Sequence, residues 1–241
     1  MTTSRNLQSG LSLLELLISS GIASGLLLLM LHMFNVSNAI ALEHQRLSRQ
    51  LANAASVRHL LSHSVRDALH TRLVEVKSDM TGQVCAGIFL NETCYPPMQS
   101  WKQGASGPVV SPIVLRDSYL LWVKQVCCPG VIADLWFIAF RGGNNNNPPS
   151  LFRRRQFTDG RFSASEEMVE GVASLTPVFT QTVYDENQQS RVYVTGLSPD
   201  SIDNWWSIAA AHFHVSLVAG ASAHATHDTF SFTIAPRQWS H

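Results

Sequence analysis

The chain has no excess of either charge, since 17 Lys and Arg face 17 Asp and Glu. That balance removes the electrostatic footprint by which a protein holds nucleic acid or an anionic lipid surface. Proline is missing from the first 95 residues, the first being Pro96, so nothing in that stretch forces a helix to stop. Lys and Arg are missing from residues 11–34, which carry one acid, Glu15, and one histidine, His32. Also absent are a phosphate-cradling glycine loop, a nucleophile elbow, a zincin helix, a paired-carboxylate motif and a CxxC redox centre. These absences point away from an enzyme and imply no cofactor.

What is present is a long apolar run. Residues 11–34 as a helix extend roughly 36 Å, enough to cross a hydrocarbon layer of about 30 Å. A short polar decapeptide precedes the run, and its only charged side chain, Arg5, favours a cytoplasmic N-terminus and an exported C-terminus. A secretory signal would have a shorter apolar core followed by small residues. Here the small pair, Ser9 and Gly10, comes first.

Cleavage after Gly10 would keep the apolar helix and create a positive α-amino group on Leu11. Residues 11 and 15 lie one helical turn apart on one face, so Glu15 has a cation within reach, on its own chain or on a neighbour's. An acid inside a membrane helix costs about 2.5–3.5 kcal/mol on insertion scales, and a partner amine offsets much of that. Glu15 therefore reads as a docking charge. Gly21 and Gly25 form a small-xxx-small pair, with Ser20 and Ser24 beside them, on a face that lets helices approach closely.

The order Gly10, Leu11, Ser12, Leu13, Leu14, Glu15 resembles the class III signal of type IV pilins and secretion pseudopilins, with Leu11 in place of the usual Phe. The resemblance implies that a prepilin peptidase cuts after Gly10 and N-methylates Leu11, and that Glu15 sets the subunit in register with its neighbours. The unprocessed alternative is a plain signal-anchor.

Beyond the run, Leu47, Leu51, Ala54, Val57, Leu61, Val65 and Ala68 recur at spacings of three and four, the stripe of an amphipathic helix. We expect one helix from Leu11 to about Leu73. His59, His63, Arg66 and His70 fall on its opposite, polar face.

After Leu73 the period changes to that of strands, in segments such as SYLLWVKQVCC, VIADLWFIAF, SLFRRRQF, SRVYVTG, SIAAAHFHVSLVAG and DTFSFTIAP. The expected fold is α+β: a long N-terminal helix, transmembrane in its first half, packed on a mostly antiparallel β-sheet head. The expected division is a leader over 1–10, a transmembrane or filament-core helix over 11–34, its amphipathic continuation over 35–73, and a periplasmic head over 74–241.

The later segments, from the Arg-bearing LFRRRQF through VEGV and the Trp-led strand to the closing strand, resemble PilW-like minor pilins. A J-type pseudopilin of type II secretion shares much of the pattern. The resemblance implies pilus assembly or initiation, with adhesion, twitching motility or DNA uptake downstream. It implies as partners the prepilin peptidase, other minor and major pilins, the inner-membrane assembly platform and the lipid bilayer, and places the subunit in the inner membrane and then the pilus.

Two further groups of residues remain. Cys85 and Cys94 enclose a short loop that a disulfide could close, while the adjacent Cys127 and Cys128 either form a vicinal ring or each seek a partner among the first two. His212 and His214 place two imidazoles on one side of a strand, with Phe213, Val215 and Leu217 on the core side and His224, His227 and Asp228 a hairpin away. That set is the basis of a third reading, a membrane-anchored periplasmic metal-binding protein.

Overall fold

The computed structural model describes residues 13–70, 76–78, 84–86, 89–90, 93–94, 98–102, 118–125, 130–140, 147–185, 190–218 and 227–235. The fold is α+β, one long N-terminal helix and two main antiparallel sheets. The helix, α1 (Leu13–His70), has no interior proline and meets no break. The chain divides into two compact units, Met1–Arg49 and Gln50–His241, and α1 contributes to both.

In the first unit α1 is exposed along nearly its whole length. In the second unit its stripe is covered: Val57, Leu61, Val65 and Ala68 are fully buried and Leu69 nearly so. The expected stripe also held Leu47 and Leu51, but these are 46% and 72% exposed. A period of three and four marks one face of a helix; it does not say where along that face the cover begins.

Thirteen strands follow among the described residues. Two short hairpins pair β1 (Val76–Ser78) with β2 (Val84–Ala86), and β3 (Phe89–Leu90) with β4 (Thr93–Cys94). The first main sheet runs in order β5 (Met98–Lys102), β6 (Tyr119–Lys124), β7 (Val131–Phe140), β8 (Pro149–Phe157), β9 (Glu166–Glu170). The second has β11 (Ser190–Leu197) at one edge, then β10 (Val172–Asp185), β12 (Ile208–Val218) and β13 (His227–Ile234). Every pairing is antiparallel.

The main core is shared by the helix stripe, one face of each sheet and Ile202, with Leu61, Trp136, Leu151, Phe179 and Phe213 among its members. The other face of the first sheet is buried as well, around Leu120, Trp122, Leu135, Phe137 and Phe152. β7 is thus covered on both faces, which is why its sequence is an almost unbroken apolar run.

The sequence reading expected one sheet; the second arises from β10, which that reading missed. Pro177 lies in its interior, and a proline argues against a central strand. β11 pairs with β10 only from Phe179 onward, so at Pro177 the strand has a ladder on the β12 side alone. The missing N–H can face the open side.

The chain passes from the first sheet to the second at Gly171. Its N–H donates to the Pro149 carbonyl of β8 at 2.8 Å, and its carbonyl accepts from the Val218 N–H of β12 at 2.8 Å. From α1, Asn53 Nδ2 donates to the Glu170 carbonyl at 2.8 Å. The three layers therefore meet at one turn. Gly171 has φ +77°, and a Cβ there would lie 3.0 Å from the Val218 carbonyl oxygen, so both conformation and space call for glycine.

Candidate functional site

The first candidate is the exposed start of α1. Leu13, Leu17, Leu27, Met30 and Phe34 are each more than half exposed, and the best 18-residue window has mean hydropathy 2.0 with none of it buried. By length and composition this helix is able to cross a membrane. Its polar side chains are arranged for such surroundings. Ser19 and Ser20 hydroxyls donate to the carbonyls of Leu16 and Leu17 at 3.0 Å, and Ser24 to that of Ser20 at 2.8 Å. Each hydroxyl is satisfied inside the helix, which removes the cost of burying it in lipid or among other helices.

Glu15 stands in the first turn, where an acid also complements the helix dipole. A Cβ added at Gly21 or Gly25 would meet nothing within 4 Å among the described residues, so none of them requires glycine there. Gly10 and Leu11, the expected processing site, lie outside the described residues.

The second candidate is a cleft of about 330 Å³ within the second unit, between α1 and the β7–β8 ladder. Sequence reasoning gave no hint of it. Asp134, buried on β7, accepts from Gln125 Nε2 at 2.9 Å through Oδ2. The same Nε2 donates to Ser64 Oγ of α1 at 2.9 Å, and Trp136 Nε1 donates to that hydroxyl at 3.3 Å. The other carboxylate oxygen, Asp134 Oδ1, is buried and has no hydrogen-bond partner among the described residues.

Burial pushes the Asp134 carboxyl up to about 6, against the pull of Arg153 and Arg155 beside it. Arg153 bonds Glu166 of β9 at 2.6 Å, which draws the Glu166 carboxyl below its usual range, and lies 5.8 Å from the Trp136 ring centre. The cleft is a polar seam that fixes α1 on the first sheet. Lys124 points to the opposite face of that sheet, where burial lowers its ammonium to about 8. His59, His63 and Arg66 are exposed as the helix pattern placed them, and His63 Nδ1 lies 3.1 Å from Asp67. The side chain of His70 lies outside the described residues.

The third candidate is the histidine pair of β12. Phe213, Val215 and Leu217 are buried, so His212 and His214 share the outer face as expected. Their ring centres are 4.6 Å apart, and their Nδ1 atoms bond the hydroxyls of Thr233 at 2.6 Å and Ser231 at 2.8 Å. Asp228 pairs with the core-facing Leu217, which assigns it to the opposite face, away from the two imidazoles. His224 and the side chain of His227 lie outside the described residues. Among the described residues no three His, Cys, Asp or Glu side chains gather as a metal set would.

The backbones of Cys85 in β2 and Cys94 in β4 are described but their side chains are not, and Cys127 and Cys128 lie outside the described residues, as does the expected disulfide. No protein-family model, curated protein or solved structure matches the chain.

Proposed function

We propose that the chain is a minor type IV pilin of the PilW-like kind, cut after Gly10 and N-methylated on Leu11. Its work is assembly: the apolar half of α1 packs first in the inner membrane and then among other pilin helices, while the β-rich head makes the outward contacts. The reading rests on one conjunction, a run of exposed apolar side chains over 13–34 with an acid in its first turn, Glu15, set close behind Gly10. A helix with such a surface is not stable in water and needs lipid or other helices around it. Gly21 and Gly25 suit the second environment, since small residues let neighbouring backbones approach.

The new amino group of Leu11 and the Glu15 carboxylate supply the electrostatic part. In a low-dielectric layer an amine paired with a carboxylate carries no net charge, so the pair both inserts and aligns one subunit against the next. Partners in this reading are the prepilin peptidase, the assembly platform and other pilins, major and minor.

Deletion of the protein tests the reading at the level of the cell. Loss of surface filaments, restored by the native chain and not by Glu15→Gln, is the expected result. Intact filaments with blocked release of secreted proteins would assign the chain to a secretion pseudopilus instead, and no change in either would overturn the assembly reading.

A further inference from the structure

Outside α1, the large apolar side chains left exposed among the described residues are Val183, Tyr184, Val192, Tyr193 and Val194. All five belong to one hairpin, formed by the end of β10 and by β11. An apolar cluster confined to one projection is the pattern of a contact surface, whereas single exposed apolar residues scattered over a protein need no explanation.

The cross-strand register sorts the cluster. Val183 pairs with Val192 and Gln181 with Val194, on one face; Thr182 pairs with Tyr193 and Tyr184 with Arg191, on the other. At the inner end of the arm, Thr195 and Gly196 oppose the single Thr180, a bulge made possible by φ +78° at Gly196. The free strand is thus Ser190 to Thr195.

β11 is an edge of its sheet among the described strands, with a row of backbone donors and acceptors on its outer side. Edges in monomers are commonly guarded by charge. β9, an edge of the other sheet, carries Glu166, Glu167 and Glu170. β11 has a single charge, Arg191, at its outer end.

The order of side chains names the occupant. Read outward from Tyr193 in either direction, β11 has a valine first (Val192 or Val194) and then Arg191 or Thr195. We propose that β11 pairs antiparallel with β11 of a second copy of this chain, Tyr193 opposite Tyr193. That register sets Val192 opposite Val194 twice, gathers the valines of both copies on one face and the tyrosines on the other, and opposes no like charges. Centring the pair on Val192 instead would set Ser190 against Val194 and Arg191 against Tyr193, so Val194 would no longer face a valine. The two four-stranded sheets become one, by strand addition at a self-complementary edge. This pairing does not depend on cleavage after Gly10.

The test uses the full chain in detergent micelles, prepared as a mixture of light and isotope-labelled copies. Tyr193 is replaced by the photoreactive p-benzoylphenylalanine, with a second preparation carrying the probe at Asp203 as control. The expected result is a mixed-isotope cross-link from residue 193 to the 190–195 segment of the other copy, at least tenfold weaker in the Val192→Lys, Val194→Lys double variant and absent with the probe at Asp203. Both valines are exposed, so the double variant keeps its fold, which its thermal melt verifies. A cross-link to another protein, a cross-link to a different segment, the absence of any mixed-isotope product, or insensitivity to the lysines would each overturn the proposal.

Discussion

Asp134 shows how much one side chain in the seam matters. Its folded-state carboxyl titrates near 6, above the ordinary 3.8, because burial penalises the anion more than Arg153 and Arg155 favour it. The folded state therefore holds the proton more tightly than the unfolded chain. The stabilisation this gives is full below about pH 4 and disappears as pH rises through 6, an effect of up to about 3 kcal/mol. Asp134→Asn keeps an acceptor for Gln125 and removes the titration. Melts of the full chain in detergent from pH 4 to 8 should show this part of the pH dependence flattened in the variant; an unchanged slope would mean that the carboxyl is not desolvated. Gly171→Ala should cost about 1–3 kcal/mol, from a left-handed backbone and the approach of the Val218 carbonyl, measured by urea or thermal unfolding. Neither residue was legible as a site in the sequence. Asp134 sits inside the apolar run of β7, and its bonding partner, Gln125 just past a strand end, is itself tied to Ser64 of a helix that only the fold brings near. Gly171 was visible only as part of the VEGV segment, with nothing to say that three layers meet there. His212 and His214, by contrast, were placed correctly, because strict alternation along β12 assigns each residue to a face.

At the scale of elements, α1 is one helix with two kinds of surroundings. Leu61 is fully buried under the sheets while Leu51, on the same stripe, is 72% exposed. Leu61→Ala should therefore destabilise the head by about 2–5 kcal/mol, and Leu51→Ala by no more than about 0.5 kcal/mol. Equal losses would mean that the cover of the stripe extends further toward the N-terminus. The helix was legible because 3.6-residue periodicity and the absence of proline speak for themselves, and β7, β8, β11, β12 and β13 because apolar or alternating runs are bounded by turn residues. β10 was not. Its interior proline and its Ser and Thr positions imitate a loop, and its strand character comes from pairing with β11, the next strand, and with β12 beyond it.

For the whole molecule, two sheets and a helix stripe close one core, and the helix surface ahead of that core is apolar and exposed. That division of labour was readable from the sequence alone: an apolar run with a single acid first, then a chain with balanced charge and strand periodicity. If the exposed run serves assembly, its acid must matter more than its neighbours. Glu15→Gln should reduce incorporation into sheared filaments by tenfold or more, read by immunoblot, while leaving the head's melting temperature unchanged, because Glu15 lies in the first compact unit and the core in the second. Equal incorporation of variant and native chains would remove the docking role. The claim beneath all of this is that the cell cuts the chain at the polar side of the run. Intact-mass and N-terminal fragment analysis of the protein recovered from membranes tests it most directly. The account predicts a chain that begins at N-methylated Leu11; a chain that still begins at Met1, or one cut after the apolar run, would contradict it.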